Sequence, residues 1–151
     1  MSKFISGFEA VESGELKNAD HWILSELNRL TKECKEGYAE FNFFVPSNKI
    51  REFIWNIFAS QYIEMVKARA YEGDSGALYT LHTCLRSILE LSAPICPFIT
   101  DKLYRSVYGE SVHRKSFPEY NESQESELSK LTEKIIEFNS EVWKKKKEQG
   151  L

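Results

Sequence analysis

The sequence predicts an all-α protein, an antiparallel bundle of five to six helices. Three observations carry this. Apolar residues recur at steps of three, four and seven through most of the chain. Seven Gly and four Pro in 151 residues are too few for a turn-rich, many-stranded fold. The polar segments between periodic stretches are mostly short, as an up-and-down bundle requires. The length suits one domain, 1–151.

Each element has its own signal. SKFISGFEAV places Phe4, Ile5, Phe8 and Val11 at helical spacing. No capping group precedes Ser2, and the chain ends in QGL, so both ends read as cuts in a longer polypeptide. Residues 12–18 form a polar loop. A long helix follows, with Asn18 or Asp20 able to cap it. Ile23, Leu27, Leu30, Cys34 and Phe41 line its apolar face, and Gly37 weakens its end by about 1 kcal/mol relative to Ala. FFVPSNK breaks the pattern, and a helix restarts at Pro46 with Ser47 or Asn48. Ile50, Phe53, Ile57, Tyr62, Met65 and Val66 carry its stripe to about Tyr71. EGDSG is a turn. The next helix, Ala77 to Ser92, is apolar on most sides through Leu78, Leu81, Leu85, Ile88, Leu89 and Leu91, and so reads as central. APICPF stops it, because the residue before each Pro is pushed out of the α region. Pro97 opens FITDKLYRSVYG. The last helix begins near Ser126, with Leu128, Leu131, Ile135, Phe138 and Val142 on one stripe, and ends in four lysines, 144–147.

The net charge of −3 argues against a purely electrostatic nucleic-acid binder; any RNA contact must be local and shape-specific. Three cysteines, at 34, 84 and 96, have no paired spacing and suit a reducing, cytoplasmic setting. No apolar run approaches the ~18–20 residues that span a bilayer, and no signal peptide is recognisable.

Chemistry is hard to place on this chain. His21, His82 and His113 with the three cysteines lack metal-ligand spacing, so core cysteines and surface histidines are expected, and no metal. No Gly-rich phosphate loop or nucleophile motif occurs, and carboxylates lie on the solvent faces of helices, so no catalytic residue is expected. Trp55, Phe58, Tyr62 and Tyr104 read as core. The lysine run reads as a solvated helix end, with RNA phosphates as the alternative. Trp22 stands in the first turn of the long helix. Helix N-termini attract phosphates and an exposed indole stacks unpaired bases. On the residues alone, packing against the preceding loop is favoured.

Four segments occurring in order carry a resemblance: DHWILSELNRL (20–30), FIWNIFASQYIEMVKAR (53–69), LRSILELSAPICPFITDKLY (85–104) and SVHRKSFPE (111–119). Together they resemble the anticodon-binding domain of class I aminoacyl-tRNA synthetases for branched aliphatic amino acids. YIEMVKAR and APICPFITDKLY are most similar to the valyl branch; isoleucyl and leucyl counterparts are the alternatives. From a different class, a helical scaffold for protein partners is the competing reading, and it requires a large exposed apolar patch.

The resemblance implies a module that reads a tRNA anticodon loop, in the valyl case that of valine tRNA. Its partners would be that tRNA and the catalytic domain of the same chain, with no membrane and no DNA. No cofactor is implied here; ATP and magnesium belong to the parent enzyme's catalytic domain, whose HIGH and KMSKS sequences are absent. The resemblance also implies that Trp22 stacks an anticodon base beside Asp20 and His21. It implies that Leu81, His82, Leu85 and Arg86 face the same groove, that Arg29 and Lys35 project from the Trp22 helix, and that Lys3 is a basic contact.

Overall fold

The computed structural model describes residues 1–122 and 127–149. Among these there is no strand, and six helical rods form the molecule. They are α1 (Ser2–Ile5), α2 (Asn18–Ala39), a long second rod, α5 (Ser75–Ser92), α6 (Pro97–Tyr108) and α7 (Thr132–Glu148). The second rod is continuous through α3 (Phe44–Glu52), a π-helical segment (Phe53–Tyr62) and α4 (Ile63–Tyr71). Short 3-10 turns lie at Val112–Arg114 and Glu127–Leu131. The expected start of the last helix, Ser126, lies outside the described residues.

Side-chain bonds fix the direction of the rods. Asp20, at the start of α2, meets Tyr62 and Arg69 near the end of the second rod, whereas Glu33 pairs with Lys49 near its beginning. These two are therefore antiparallel. At the far end of α2, the Tyr38 hydroxyl donates to the carbonyl of Leu91 at the end of α5, 2.7 Å away. α2 and α5 thus run the same way. The Tyr104 hydroxyl donates to Glu90 and that of Tyr108 to the carbonyl of His82, so α6 runs back along α5.

The apolar stripes converge on one core. Ile23, Leu27, Leu30 and Cys34 of α2 pack with Phe53, Ile57, Phe58, Tyr62 and Val66 of the second rod and with Leu81, Cys84, Leu85, Ile88 and Leu91 of α5. α5 is the most thoroughly buried helix, as its composition predicts. In the π segment, hydrogen bonding to the fifth residue widens each turn to about four to five residues, so side chains four and five apart share a face. Phe53 and Phe58 are accordingly stacked at 6.0 Å with a 7° interplanar angle, and Tyr62 continues the stack at 5.9 Å.

Three boundaries differ from expectation. α1 covers one turn only; Phe8 lies beyond it and packs as an aromatic cluster with Phe4 and Tyr71. The second rod starts at Phe44, placing Pro46 within its first turn. Phe41 leaves the apolar stripe altogether: at φ 55° it takes the left-handed conformation that ends α2 and points into solvent. Gly37 has a packing reason. A Cβ there would stand 2.7 Å from Cδ of Pro46, so only Gly lets α3 approach α2 at this point.

Candidate nucleic-acid interface

The first turn of α2 is a buried junction of charges. The Asp20 carboxylate is fully buried and accepts the Lys17 N–H (2.8 Å), the Tyr62 hydroxyl (2.7 Å) and two donors of Arg69 (3.1 and 2.8 Å). Arg69 also holds Asp74, whose carboxylate caps α5 by accepting the N–H of Ala77 at 2.9 Å. Burial by itself raises the Asp20 carboxyl, but Arg69, Lys17 and Tyr62 together outweigh it and hold the group below its ordinary range. The Arg69 hydrogen bond likewise holds Asp74 well below the carboxylate range. One carboxylate therefore ties the start of α2, the end of the second rod and the start of α5.

Two residues on, the Trp22 indole is 2% exposed. Its N–H donates to the Thr132 hydroxyl at 2.9 Å, and Thr132 in turn donates to buried Glu26 at 2.8 Å. Burial pushes the Glu26 carboxyl upward, against Thr132 and Arg29. No face of this indole is open to a base. The expectation of an exposed stacking platform at Trp22 is corrected: the residues alone favoured a ring packed against the preceding loop, and the ring is packed, but with its N–H on Thr132.

The other sequence-predicted contacts divide in the same way. Asp20, Leu81 and Leu85 are fully buried, and both leucines share the core with Trp22. They come together, but as packing rather than as a groove wall. His82 is buried too, its Nε2 bonded to the carbonyl of Phe8 at 3.1 Å and its ring edge-on to Tyr108. It is not the surface histidine expected, and desolvation by burial lowers its pKa. Lys3, His21, Arg29, Lys35 and Arg86 are exposed. Arg86 lies over the Tyr108 ring at 4.8 Å and Arg29 pairs with Glu26, so these two cations serve different surfaces. Among the cysteines, Cys34 and Cys84 are buried and the Cys34 thiol is pushed up to about 12 by desolvation; Cys96 is exposed.

An exposed aromatic surface exists elsewhere. Phe44 is 78% and Trp55 67% exposed, which corrects the placement of Trp55 in the core. Phe44, Asn48, Arg51 and Trp55 follow one another at steps of four, three and four, so they form a stripe on the outer face of the second rod. The stripe is pre-arranged. Asn48 Nδ2 donates to the carbonyl of Phe44 at 2.9 Å, and Arg51 donates to Asn48 Oδ1 at 3.2 Å. Asn48, Arg51, Glu52, Trp55 and Asn56 line an open groove of about 600 Å³. A second groove of about 720 Å³ shares Glu52 and Asn56 and continues past Arg29, Gln61 and Lys130 to Thr132 and Ile136. Phe41 and Phe43 extend the aromatic surface around the start of the rod.

Chemically, the stripe offers flat apolar faces flanking a guanidinium and an amide, and the groove adds the amide of Asn56. Aromatic rings stack bases of any sequence, while amides and guanidinium groups bond base edges. The sequence reading missed Phe44, Asn48, Arg51 and Asn56. The signal was present, since Trp55 lies about 140° round an α-helical wheel from Ile50, off the buried stripe.

A strand-free bundle of this kind falls in the class of all-helical modules. Within that class, a family model described as the anticodon-binding domain of tRNA ligase matches residues 20–151, and the chain belongs to this family. It is similar along its whole length to valine–tRNA ligases. Identity is 34% over 160 residues to that of Pyrobaculum aerophilum and 34% over 163 residues to that of Aeropyrum pernix, covering 100% and 99% of the chain. The valine–tRNA ligase of Nanoarchaeum equitans is 30% identical over 150 residues, 99% of the chain. In all three cases the chain spans about 20% of the relative's length. Among the described residues, no helix is long and apolar enough to cross a membrane.

Proposed function

We propose that this chain supplies tRNA recognition to a valine–tRNA ligase, reading the anticodon loop of valine tRNA. ATP-dependent attachment of valine would then occur in a catalytic domain of the parent enzyme, where ATP and magnesium bind. The observation that carries the placement is the exposed Phe44–Asn48–Arg51–Trp55 stripe. Unpaired anticodon bases would stack on Phe44 and Trp55, and their edges would meet Asn48, Arg51 and Asn56. Asp20 supports this surface from within, by fixing α2 against the second rod, while Trp22 fixes α2 against the start of α7. The likeness to valine–tRNA ligases favours valine over isoleucine or leucine tRNA, and it favours RNA over a protein-scaffold role.

The test is a titration of the protein with valine, isoleucine and unrelated tRNA transcripts at moderate salt. Tighter binding of valine tRNA is expected, with the preference reduced by Trp55→Ala and by Arg51→Ala. Equal binding of all three transcripts, unchanged in both variants, would sink the reading.

A further inference from the structure

Anticodon reading leaves the far end of α7 without a role. Thr132 is the one residue of this helix that is buried among those described. Among the described residues, the hydrogen bonds that hold this helix to the bundle fall in its first half. Thr132 joins Trp22 and Glu26, and Asn139 Nδ2 donates to Gln61 Oε1 at 2.8 Å. Past Asn139, no hydrogen bond or ion pair ties α7 to the bundle among the described residues. Phe138, just before Asn139, and Trp143, beyond it, stand exposed, followed by Lys144, Lys145, Lys146 and Lys147, all exposed. The Lys146 ammonium lies over the Trp143 ring, 5.5 Å from its centre.

Four consecutive lysines in a chain of net charge −3 make a concentrated positive end on an acidic molecule. Successive residues turn about 100° around a helix, so the four cations face most of its circumference. One packed protein face could not engage them all, whereas phosphates spaced along a nucleic-acid backbone can. The position suits such a partner. Glu133 and Ile136 line the groove that shares Glu52 and Asn56 with the Trp55 groove. At 1.5 Å per residue the lysines lie about 12–17 Å further along α7 from Ile136. The basic end is thus beside the reading stripe and not within it.

We propose that the Trp143–Lys147 arm is a second RNA contact, gripping backbone phosphates of the tRNA stem next to the loop; this rests on the reading of that loop by the Phe44–Trp55 stripe. The arm contributes affinity and salt dependence, and no sequence preference.

The experiment measures binding of valine tRNA and unrelated tRNA transcripts across a salt series, for the unaltered protein, the quadruple variant K144Q/K145Q/K146Q/K147Q and the corresponding quadruple arginine variant. The glutamine variant is expected to flatten the plot of log affinity against log salt by about 2 to 4 units of slope, weakening all transcripts alike. Arginine should restore the slope. An unchanged slope in a variant that retains its helical circular dichroism overturns the proposal, as does a loss confined to valine tRNA. Binding of the unaltered protein to phosphatidylserine vesicles, lost in the glutamine variant while tRNA binding persists, overturns it in favour of a lipid surface. Trp55→Ala, run alongside, tests the stripe separately: it should reduce discrimination with the slope intact. A flattened slope in the lysine variant with no effect of Trp55→Ala leaves the arm standing and removes the stripe.

Discussion

Trp22 and Trp55 make opposite use of the same side chain. Trp22 belongs to the DHWILSELNRL segment and is enclosed, its N–H satisfied by Thr132. Trp55 belongs to FIWNIFASQYIEMVKAR, which carries the resemblance equally, and shows two-thirds of its surface to solvent, beside Arg51 and Asn48. An aromatic in a family motif is as readily a structural fixture as a ligand platform. The surroundings decide: Trp22 is adjacent to a carboxylate and a threonine that need partners, while Trp55 is adjacent to side chains with donors to spare.

The contrast is broken most forcefully at Trp22. Trp22→Ala is expected to cost about 3–5 kcal/mol of stability, by loss of a buried ring and exposure of the Thr132–Glu26 bond. Thermal unfolding should fall by roughly 6–20 °C. Among molecules that remain folded, discrimination between tRNAs should be unchanged; its loss without a fall in melting temperature would return Trp22 to the recognition surface.

Asp20→Asn comes next, at about 2–3 kcal/mol, because Arg69 loses one anionic partner but keeps Asp74. The pH dependence sharpens this. Asp20 and Asp74 titrate lower in the folded protein than in the unfolded chain. Their stabilisation is therefore complete above the unfolded carboxyl pKa of about 4 and is lost as pH falls through the folded values. Urea unfolding below about pH 4 should show a steep acid limb, and Asp20→Asn should make it shallower.

At Trp55 the effects move from folding to binding. Trp55→Ala should weaken valine tRNA binding by about 1–3 kcal/mol, the range for one base–aromatic stack, and change stability by less than about 0.5 kcal/mol. Matched equilibrium unfolding and tRNA titration check both halves.

Glu26→Gln is the smallest change. Because burial raises the folded pKa of Glu26, protonation favours the folded state, and stability rises as pH falls toward the unfolded value of about 4.3. Gln should leave stability at neutral pH equal or slightly higher and remove that mild-acid gain, as urea unfolding at about pH 5 and 7 would report. A large loss at neutral pH would mean that the ionised Glu26–Arg29 pair is a principal tie.

Much of the fold was legible because periodicity is local. Ile23, Leu27, Leu30 and Cys34 were placed on the buried face of α2, and Leu81, Leu85, Ile88 and Leu91 in the central helix, and the structure has them there. The same central position is why Leu81 and Leu85 cannot also wall an RNA groove. The environment of Trp22 was not legible, since its partner Thr132 is 110 residues away along the chain. Phe41 obeyed the seven-residue spacing from Cys34 but falls at the left-handed turn after α2, which spacing cannot foresee. Trp55 was readable from its wheel position; its aromatic character drew it into the core instead.

The contact between Gly37 and Pro46 has a consequence for how this surface could change over time. Pro46 sits in the first turn of the rod that carries Phe44, Asn48 and Arg51, and it rests directly on the backbone of α2. The missing side chain at 37 is therefore a fulcrum: it sets how closely the second rod lies against α2. A single added methyl group must push the near end of that rod outward, carrying the exposed rings with it. The spacing of the exposed rings is thus adjustable from a position outside the stripe itself.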